Sequence, residues 1–350
     1  MKVCLVGSSG GHLTHLYMLK PFWKDKERFW VTFDKEDAKS MLKGEKVYPC
    51  YFPTNRNLKN LIKNTFVAWK VLRKEKPDLV ILGGDNCDGT VLKTEQELRD
   101  YIKIFSEPME SKKIPWAHVF GNHDHDIEID DIQKTKIYEE YEYCISKHTE
   151  DIYGTTNFVL PIKHSNKNEI AFNIWGLDSN NQIITANIPI DENMKQLNKP
   201  SMSCKWDIIH FDQQMWYWNS SKEIEEYCNK KINGMLFMHI PPWEFQYIVD
   251  NPEYTNASGS MDEIMKIGMF NSGIFSTILQ RNDIKCIACG HSHNDCFEGD
   301  FCEIKMCLDA CAGYSPYGID SLRGGRIFEI DEKNTNNIKT YMVHYEEINI

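Results

Sequence analysis

No stretch of about 18 consecutive apolar residues occurs in the 350-residue sequence, so hydropathy marks no helix long enough to cross a bilayer. The amino end also lacks the order of charged, apolar and small residues that marks a secretory signal, and the expected compartment is the cytoplasm. No internal repeat or low-complexity linker divides the chain. Disulfide-framework spacing is missing too: of 12 cysteines, Cys4, Cys50, Cys87, Cys144, Cys204 and Cys228 are scattered, and in a chain of this length reduced thiols are expected. The other six, from Cys286 to Cys311, are crowded together. Cys286-x-x-Cys289 has the spacing to start a zinc site, but it lies in an apolar run where free cysteine behaves as a small hydrophobe.

What the sequence does contain is ample apolar material and an uneven charge. With 41% hydrophobic and 12% aromatic residues, the chain can bury one large core or two smaller ones. Residues 1–80 carry 16 Lys and Arg against 8 Asp and Glu, a net of +8, which leaves −19 for the other 270 residues of a chain at −11. Two segments of different character, or one basic helix on an acidic protein, explain this split, and no nucleic-acid partner is expected.

Periodicity predicts a β-α-β-α-β start. Met1 to Val6 reads as a strand, Gly7 to Gly11 as a tight turn, 28–33 as a strand, 36–42 as a short helix, and 58–76 as a helix stopped by Pro77. Asp78 to Leu82 then reads as a buried strand, which implies parallel pairing with right-handed crossovers. Further on, a helix is predicted over 94–106, a polar helix over 130–147, and strands at 116–120, 158–161, 170–177, 234–239, 286–289 and 325–330.

Four clusters stand where strands hand over to loops: Gly83-Gly84-Asp85-Asn86, Gly121-Asn122-His123-Asp124, Met238-His239-Ile240-Pro241-Pro242 and Gly290-His291-Ser292-His293. Carboxylate, amide oxygen and imidazole converging from strand ends are what a Lewis-acidic metal centre needs, and the glycines let the backbone turn sharply. Singly, each cluster is weak evidence: a Gly-Asp pair is usually a turn, and a lone His after an apolar run is more often a satisfied core residue.

In their order along the chain, the four resemble the calcineurin-like metallophosphoesterase family, in its purple-acid-phosphatase-related branch, from Gly83 to about Ile330. Leu177-Asp178-Ser179, Asp212-Gln213-Gln214-Met215-Trp216, Gly313-Tyr314 and Arg323-Gly324-Gly325-Arg326 add to the likeness. The resemblance implies a four-layer α/β sandwich, two mixed sheets face to face with helices outside, the amino segment supplying strands to one sheet. It implies a phosphoric ester hydrolase acting through metal-bound hydroxide, with one or two Fe, Mn or Zn ions per chain and a phosphorylated substrate of unstated class. Asp85 would bridge the metals, Asn122, His239 and His291 would complete one site, and His293 would belong to the other. His123, with Asp85 in the catalytic set, would stabilise phosphoryl oxygens or protonate the leaving group. Trp243 and Glu244 would stand near the metals, and Trp216, Tyr217 and Trp218 are candidates for a cleft wall or, more commonly, for core.

The family pattern opens with Asp-x-His, which is absent before Asp85; the first metal site is therefore expected to be weak, with His12 the nearby replacement ligand. Residues 1–81 instead resemble the opening of the polysaccharide-biosynthesis glycosyltransferase subunits related to the anchoring partner of the dolichol-linked N-acetylglucosamine transferase. The likeness rests on Val6-Gly7-Ser8-Ser9-Gly10-Gly11-His12-Leu13, Asn55-Arg56-Asn57 and Lys76-Pro77-Asp78-Leu79-Val80-Ile81. It implies a Rossmann-like segment with a phosphate-binding turn at Gly7, Ser8, Ser9, Gly10, Gly11 and His12, where free helix N–H groups suit an anion. Without the resemblance, that turn reads as a plain strand-to-helix connection. The expected organisation is thus 1–82 as a glycosyltransferase-subunit-like segment and 83–350 as the phosphoesterase domain. The alternative is a non-catalytic chimera or binding module that docks on a glycosyltransferase partner or a membrane surface through 1–81.

Overall fold

The computed structural model describes residues 2–6, 13, 17–18, 20–33, 36–50, 58–183, 205–262, 264–314 and 316–348. The Gly7–His12 turn and Asn55-Arg56-Asn57 lie outside the described residues. Two compact units are formed, Met1–Thr54 and Asn55–Ile350.

In the smaller unit, β1 (Lys2–Val6), β2 (Glu27–Phe33) and β3 (Val47–Cys50) form a parallel sheet in that order, with short helices α1 (Lys20–Trp23) and α2 (Glu36–Met41) between strands. Leu13, Trp23, Trp30, Ala38 and Leu42 are its core, Trp23 meeting Trp30 edge-on at 5.3 Å. Arg28 holds Glu45 at 2.6 Å, and the Trp30 indole donates to the same carboxylate at 3.2 Å.

The unit boundary differs from the 82/83 boundary read from the sequence. Helix α3 (Leu58–Glu75) and strand β4 (Val80–Gly83) belong to the larger unit: β4 pairs in parallel with β5 (Trp116–Val119), and α3 lies on α4 (Glu95–Lys112), its Trp69 indole donating to Glu107 at 2.7 Å. Among the described residues, β1–β3 pair only with one another, so β4 is the strand the amino segment gives to the larger unit.

That unit is built in four layers. A seven-stranded mixed sheet runs in the order β6 (Phe158–Lys163), β7 (Ile170–Gly176), β8 (Gly234–Phe237), β10 (Ile284–Cys289), β12 (Ile304–Leu308), β11 (Cys296–Phe301), β9 (Ser258–Ser260). Alternation of side chains across each strand sends the two sets of apolar residues to opposite faces. Ile174, Met235, Phe237, Ala288 and Cys307 pack against Ile81, Ala117 and Val119 of the β4–β5 pair and against Phe328, Ile330 and Ile338 of the hairpin β13 (Gly324–Ile330) and β14 (Ile338–His344). On the other face, Trp175, Leu236, Met238, Ile287 and Met306 pack under α7 (Phe211–Cys228), α8 (Glu244–Asp250) and α9 (Ile274–Arg281). The outer face of β4–β5 is covered by α3, α4 and α6 (Asp131–Tyr138). The second sheet therefore consists of two separate strand pairs.

Other departures have local causes. The helix predicted over 130–147 stops at Tyr138, because the following residues turn back onto β5, where Trp116 N–H donates to the Tyr143 carbonyl and Ile145 N–H to the Trp116 carbonyl, both at 2.8 Å. Helix α4 begins one residue late and runs six further, fixed by Thr94, whose hydroxyl accepts from Glu97 N–H while the Glu97 carboxylate accepts from Thr94 N–H. Trp216, Tyr217 and Trp218 serve packing: Tyr217 is buried against Trp175 with its hydroxyl on Asp283, Trp216 meets Trp175, and Trp218 lies beneath Arg281. Cys286 and Cys289 face opposite cores, as residues three apart in a strand must, and cannot chelate one ion together.

Candidate metal centre

The strands β4 and β5 run parallel, as do β8 and β10, so their carboxyl ends deliver the four loops to one edge of the sandwich. There Asp85, His239 and His291 bring ligand atoms within 4.8 Å of one another. Asp85 (φ 52°) and His291 (φ 73°) both sit in the left-handed region, which side chains other than glycine enter at a cost on the order of 1 kcal/mol.

Each ligand atom is set by its second partner. The Nδ1–H of His239 donates to the Gly83 carbonyl at 2.8 Å, which leaves Nε2 with its lone pair aimed 3.1 Å from Asp85 Oδ2. That contact lacks hydrogen-bond alignment, and His239 Nε2, His291 Nε2 and Asn122 Oδ1 are all buried with no hydrogen-bond partner among the described residues. The two imidazole lone pairs that lie unpartnered within 4.8 Å of the Asp85 carboxylate fit a cation, since such atoms cost on the order of 1–3 kcal/mol each when left unpaired. Burial, with His239 close by, keeps His291 neutral by pushing its pKa well below the usual imidazole value. Burial pulls the Asp85 carboxyl upward, but His239, His123 and His291 hold it well below the usual carboxylate range.

The close approach explains two glycines. A Cβ on Gly84 (φ +95°) would lie 2.5 Å from His239 Nδ1, and one on Gly121 would lie 2.4 Å from Asp85 Oδ1. Gly84→Ala is expected to displace His239 from the Gly83 carbonyl and weaken Mn²⁺ binding at least about tenfold, as read by titration against a chelator; unchanged affinity would detach the tautomer from metal binding.

The short helix α5 (Asn122–His125) packs between these loops. His123 donates its backbone N–H to Asp85 Oδ1 at 2.8 Å and its Nδ1–H to Asp126 Oδ2 at 2.8 Å, while Asn181 Nδ2 donates to the other Asp126 oxygen at 2.8 Å. Asp124 is buried and accepts from the N–H groups of Asn86, Cys87 and Gly121. Burial and the neighbouring Asp85 raise its pKa to about 7 despite those amides. His125 bridges Asp131 at 2.8 Å and Asp178 at 2.9 Å, and Ser179 accepts the Ile240 N–H beside His239 at 2.8 Å. The loop 178–181 after β7 thus ties the Asn122 helix to the His239 loop.

Of the residues predicted from the sequence, Asp85, His239 and His291 meet. Asn122 adjoins them through the His123–Asp85 bond, and His293 stands outside the 4.8 Å group. The His293 Nδ1–H donates to the Tyr317 carbonyl at 3.0 Å, and its ring stacks on Tyr317 at 4.2 Å. Trp243 donates to the Gly268 carbonyl, and Glu244 is buried, accepting from Asn271. His125, Asp126, Asp131 and Asn181 were not singled out from the sequence; the alternation of His and Asp from His123 to Asp126 was the available signal.

Residues 55–295 match the model of a family described as calcineurin-like phosphoesterase. Among curated proteins, the chain is 27% identical to a probable inactive purple acid phosphatase 29 of Arabidopsis thaliana, over 76% of this chain and 67% of that one. It is 28% identical to phosphatase DCR2 of Saccharomyces cerevisiae, over 79% of this chain and 47% of that one, so it spans about two thirds and under half of these relatives respectively. A crystal structure of a dimetal phosphatase from Danio rerio aligns with a TM-score of 0.49 at 13% identity, over 83% of this chain and 91% of that one.

Proposed function

We propose, given that the chain belongs to the calcineurin-like phosphoesterase family, that it hydrolyses a phosphate ester with a divalent cation held by Asp85, Asn122, His239 and His291. The observation that carries this is the convergence of buried, unpartnered ligand atoms on one carboxylate. When bound, such a cation supplies Lewis acidity: it lowers the pKa of water to roughly 7 and offsets phosphate charge. The chain's own residues do the positioning. Asp85 keeps Oδ1 engaged by the His123 amide, so Oδ2, beside His239 Nε2, would be the oxygen available to hold a cation. His123, its Nδ1–H committed to Asp126, offers an Nε2–H to the phosphoryl or leaving-group oxygen as the imidazolium, the form that burial opposes but Asp85 and Asp126 together favour.

One tight cation per chain is the expectation, since no Asp-x-His precedes Asp85 in the sequence and, among the described residues, His293 is outside the cluster. Metal content after Mn²⁺ loading and gel filtration is expected at one per chain, with hydrolysis of p-nitrophenyl phosphate dependent on it. Two tight ions per chain would overturn the single-site reading. A second reading, a metal-holding domain without turnover, is favoured by the word inactive in the name of the Arabidopsis relative. Metal at one per chain with no hydrolysis would select it.

A further inference from the structure

We propose that Trp206 orients His291 toward the cation by ring contact, in the place that a hydrogen bond takes for His239; this rests on the metal-dependent reading above. The two imidazoles are held differently. His239 has its Nδ1–H on the Gly83 carbonyl, whereas the ring of His291 makes no hydrogen bond among the described residues. A histidine that ligates a metal ordinarily has its other nitrogen fixed by a carbonyl or carboxylate, because the torsion that turns the ring is broad and does not settle the orientation unaided.

What meets the His291 ring is aromatic. The Trp206 indole stands across it at 88° with centroids 4.4 Å apart, and the His239 ring meets it at 72° and 5.2 Å. Turning the imidazole about its Cβ–Cγ bond would disturb both edge-on contacts, so together they select one orientation. Trp206 is buried, and its Nε1 has no hydrogen-bond partner among the described residues, so packing of the ring is what this side chain contributes.

The indole is itself fixed through its backbone. Trp206 pairs with both Gln182 and Gly268, Met269 N–H donates to its carbonyl at 2.9 Å, and Asp207 N–H donates to the Asn181 carbonyl at 2.8 Å. Asn181 is the residue whose side-chain amide donates to Asp126, the partner of His123. One short ladder, 181–182 beside 206–207, therefore sets both the ring that faces His291 and the carboxylate that holds His123. The Lys205 ammonium, 4.6 Å from the centre of the indole ring, adds a cation–π contact to the same side chain. Trp206 is thus a positioning residue, acting on the cation through His291.

The test is Mn²⁺ affinity by titration against a chelator, together with the visible absorption of the Co²⁺-loaded full chain, for Trp206→Leu and Trp206→Phe. Leucine fills the space with apolar atoms but has no flat ring, and phenylalanine keeps one. Trp206→Leu is expected to bind Mn²⁺ at least about tenfold more weakly and to shift the Co²⁺ bands, which report ligand geometry and which a loss of packing remote from the ligands would leave in place. Trp206→Phe is expected to stay within about threefold of the unsubstituted protein and to keep its Co²⁺ spectrum. Unchanged affinity and spectrum in Trp206→Leu, or a tenfold loss in Trp206→Phe, would overturn the assignment and leave the metal site standing. An unsubstituted protein that retains neither ion would sink the metal-dependent reading and this assignment with it.

Discussion

Asp85→Asn is expected to leave a folded protein that no longer retains Mn²⁺ and whose hydrolysis of p-nitrophenyl phosphate falls at least about 1000-fold, equivalent to about 4 kcal/mol of transition-state stabilisation. Asn matches the carboxylate in shape and tolerates the left-handed backbone at φ 52°, so the change isolates the charge. The loss follows from the neighbours. His239 and His291 are neutral donors at best, and without a carboxylate the buried group offers a cation no compensating charge. The His123 amide can still donate to the Asn oxygen, so α5 keeps its seat and circular dichroism is expected to be unchanged. Retention of one Mn²⁺ per chain by Asp85→Asn would sink the assignment of this cluster as the metal site. Retained metal with abolished turnover would place Asp85 in the chemistry but not in binding.

The cluster of Asp85, His239 and His291 has short local signals in the sequence: an apolar strand followed by Asp or His, with a glycine directly before Asp85 and His291 and Met238 before His239. Parallel pairing does the rest, since β4 beside β5 and β8 beside β10 put the loop that follows each strand at one edge. What local signals do not carry is the partner of each group. That His293 turns its Nδ1–H to Tyr317 depends on a loop organised by Arg323 thirty residues downstream. That Asp126 serves His123 depends on Asn181, which arrives from the end of β7.

The fold shows the same division. Periodicity, which is local, marks β1, β2, α2, α3 and β4, but the β-α-β-α-β reading has no place for β3, which pairs with β2. The 82/83 boundary differs from the division of the structure after Thr54 because β4 reads as a continuation of that pattern, while its hydrogen bonds go forward to β5 and the α3 side chains go to α4. Strands β9, β11, β12 and β14 lacked a clear period-two signal: Ser258–Ser260 is three small residues at a sheet edge, and Cys296–Phe301 mixes acidic and apolar residues whose placement is decided by β12 and the buried Arg326. Arg326 donates to Asp309 at 2.5 Å and Glu298 at 2.6 Å, joining β13 to the larger sheet by a network no single stretch of sequence announces.

The largest effect on stability is expected at His125. Its imidazole bridges two carboxylates, side-chain exposure is 9%, and Asp178 on its far side is fully buried while accepting the N–H groups of Thr155, Thr156 and Asn180. Burial opposes the charge, but Asp178 and Asp131 raise the His125 pKa to about 10. Asp178 responds oppositely: burial pushes its carboxyl upward, yet His125 and the backbone amides hold it well below the usual range. A raised imidazole pKa stabilises the folded state fully below the unfolded value of 6.5, and that stabilisation is lost as pH rises through about 10. The depressed carboxyl contributes above its ordinary value of 3.8 and loses its contribution as pH falls below it. His125→Gln keeps a donor of similar reach but no charge, so it is expected to cost about 2 kcal/mol across the plateau between those two values. Urea unfolding of the full chain followed by tryptophan fluorescence should show the gap from the unsubstituted protein nearly whole at pH 6 and largely closed by pH 10. A gap that stays constant over that range would mean that the three groups hold the Asn122 helix to the 178–181 loop by shape and hydrogen bonding alone, with His125 neutral between its carboxylates.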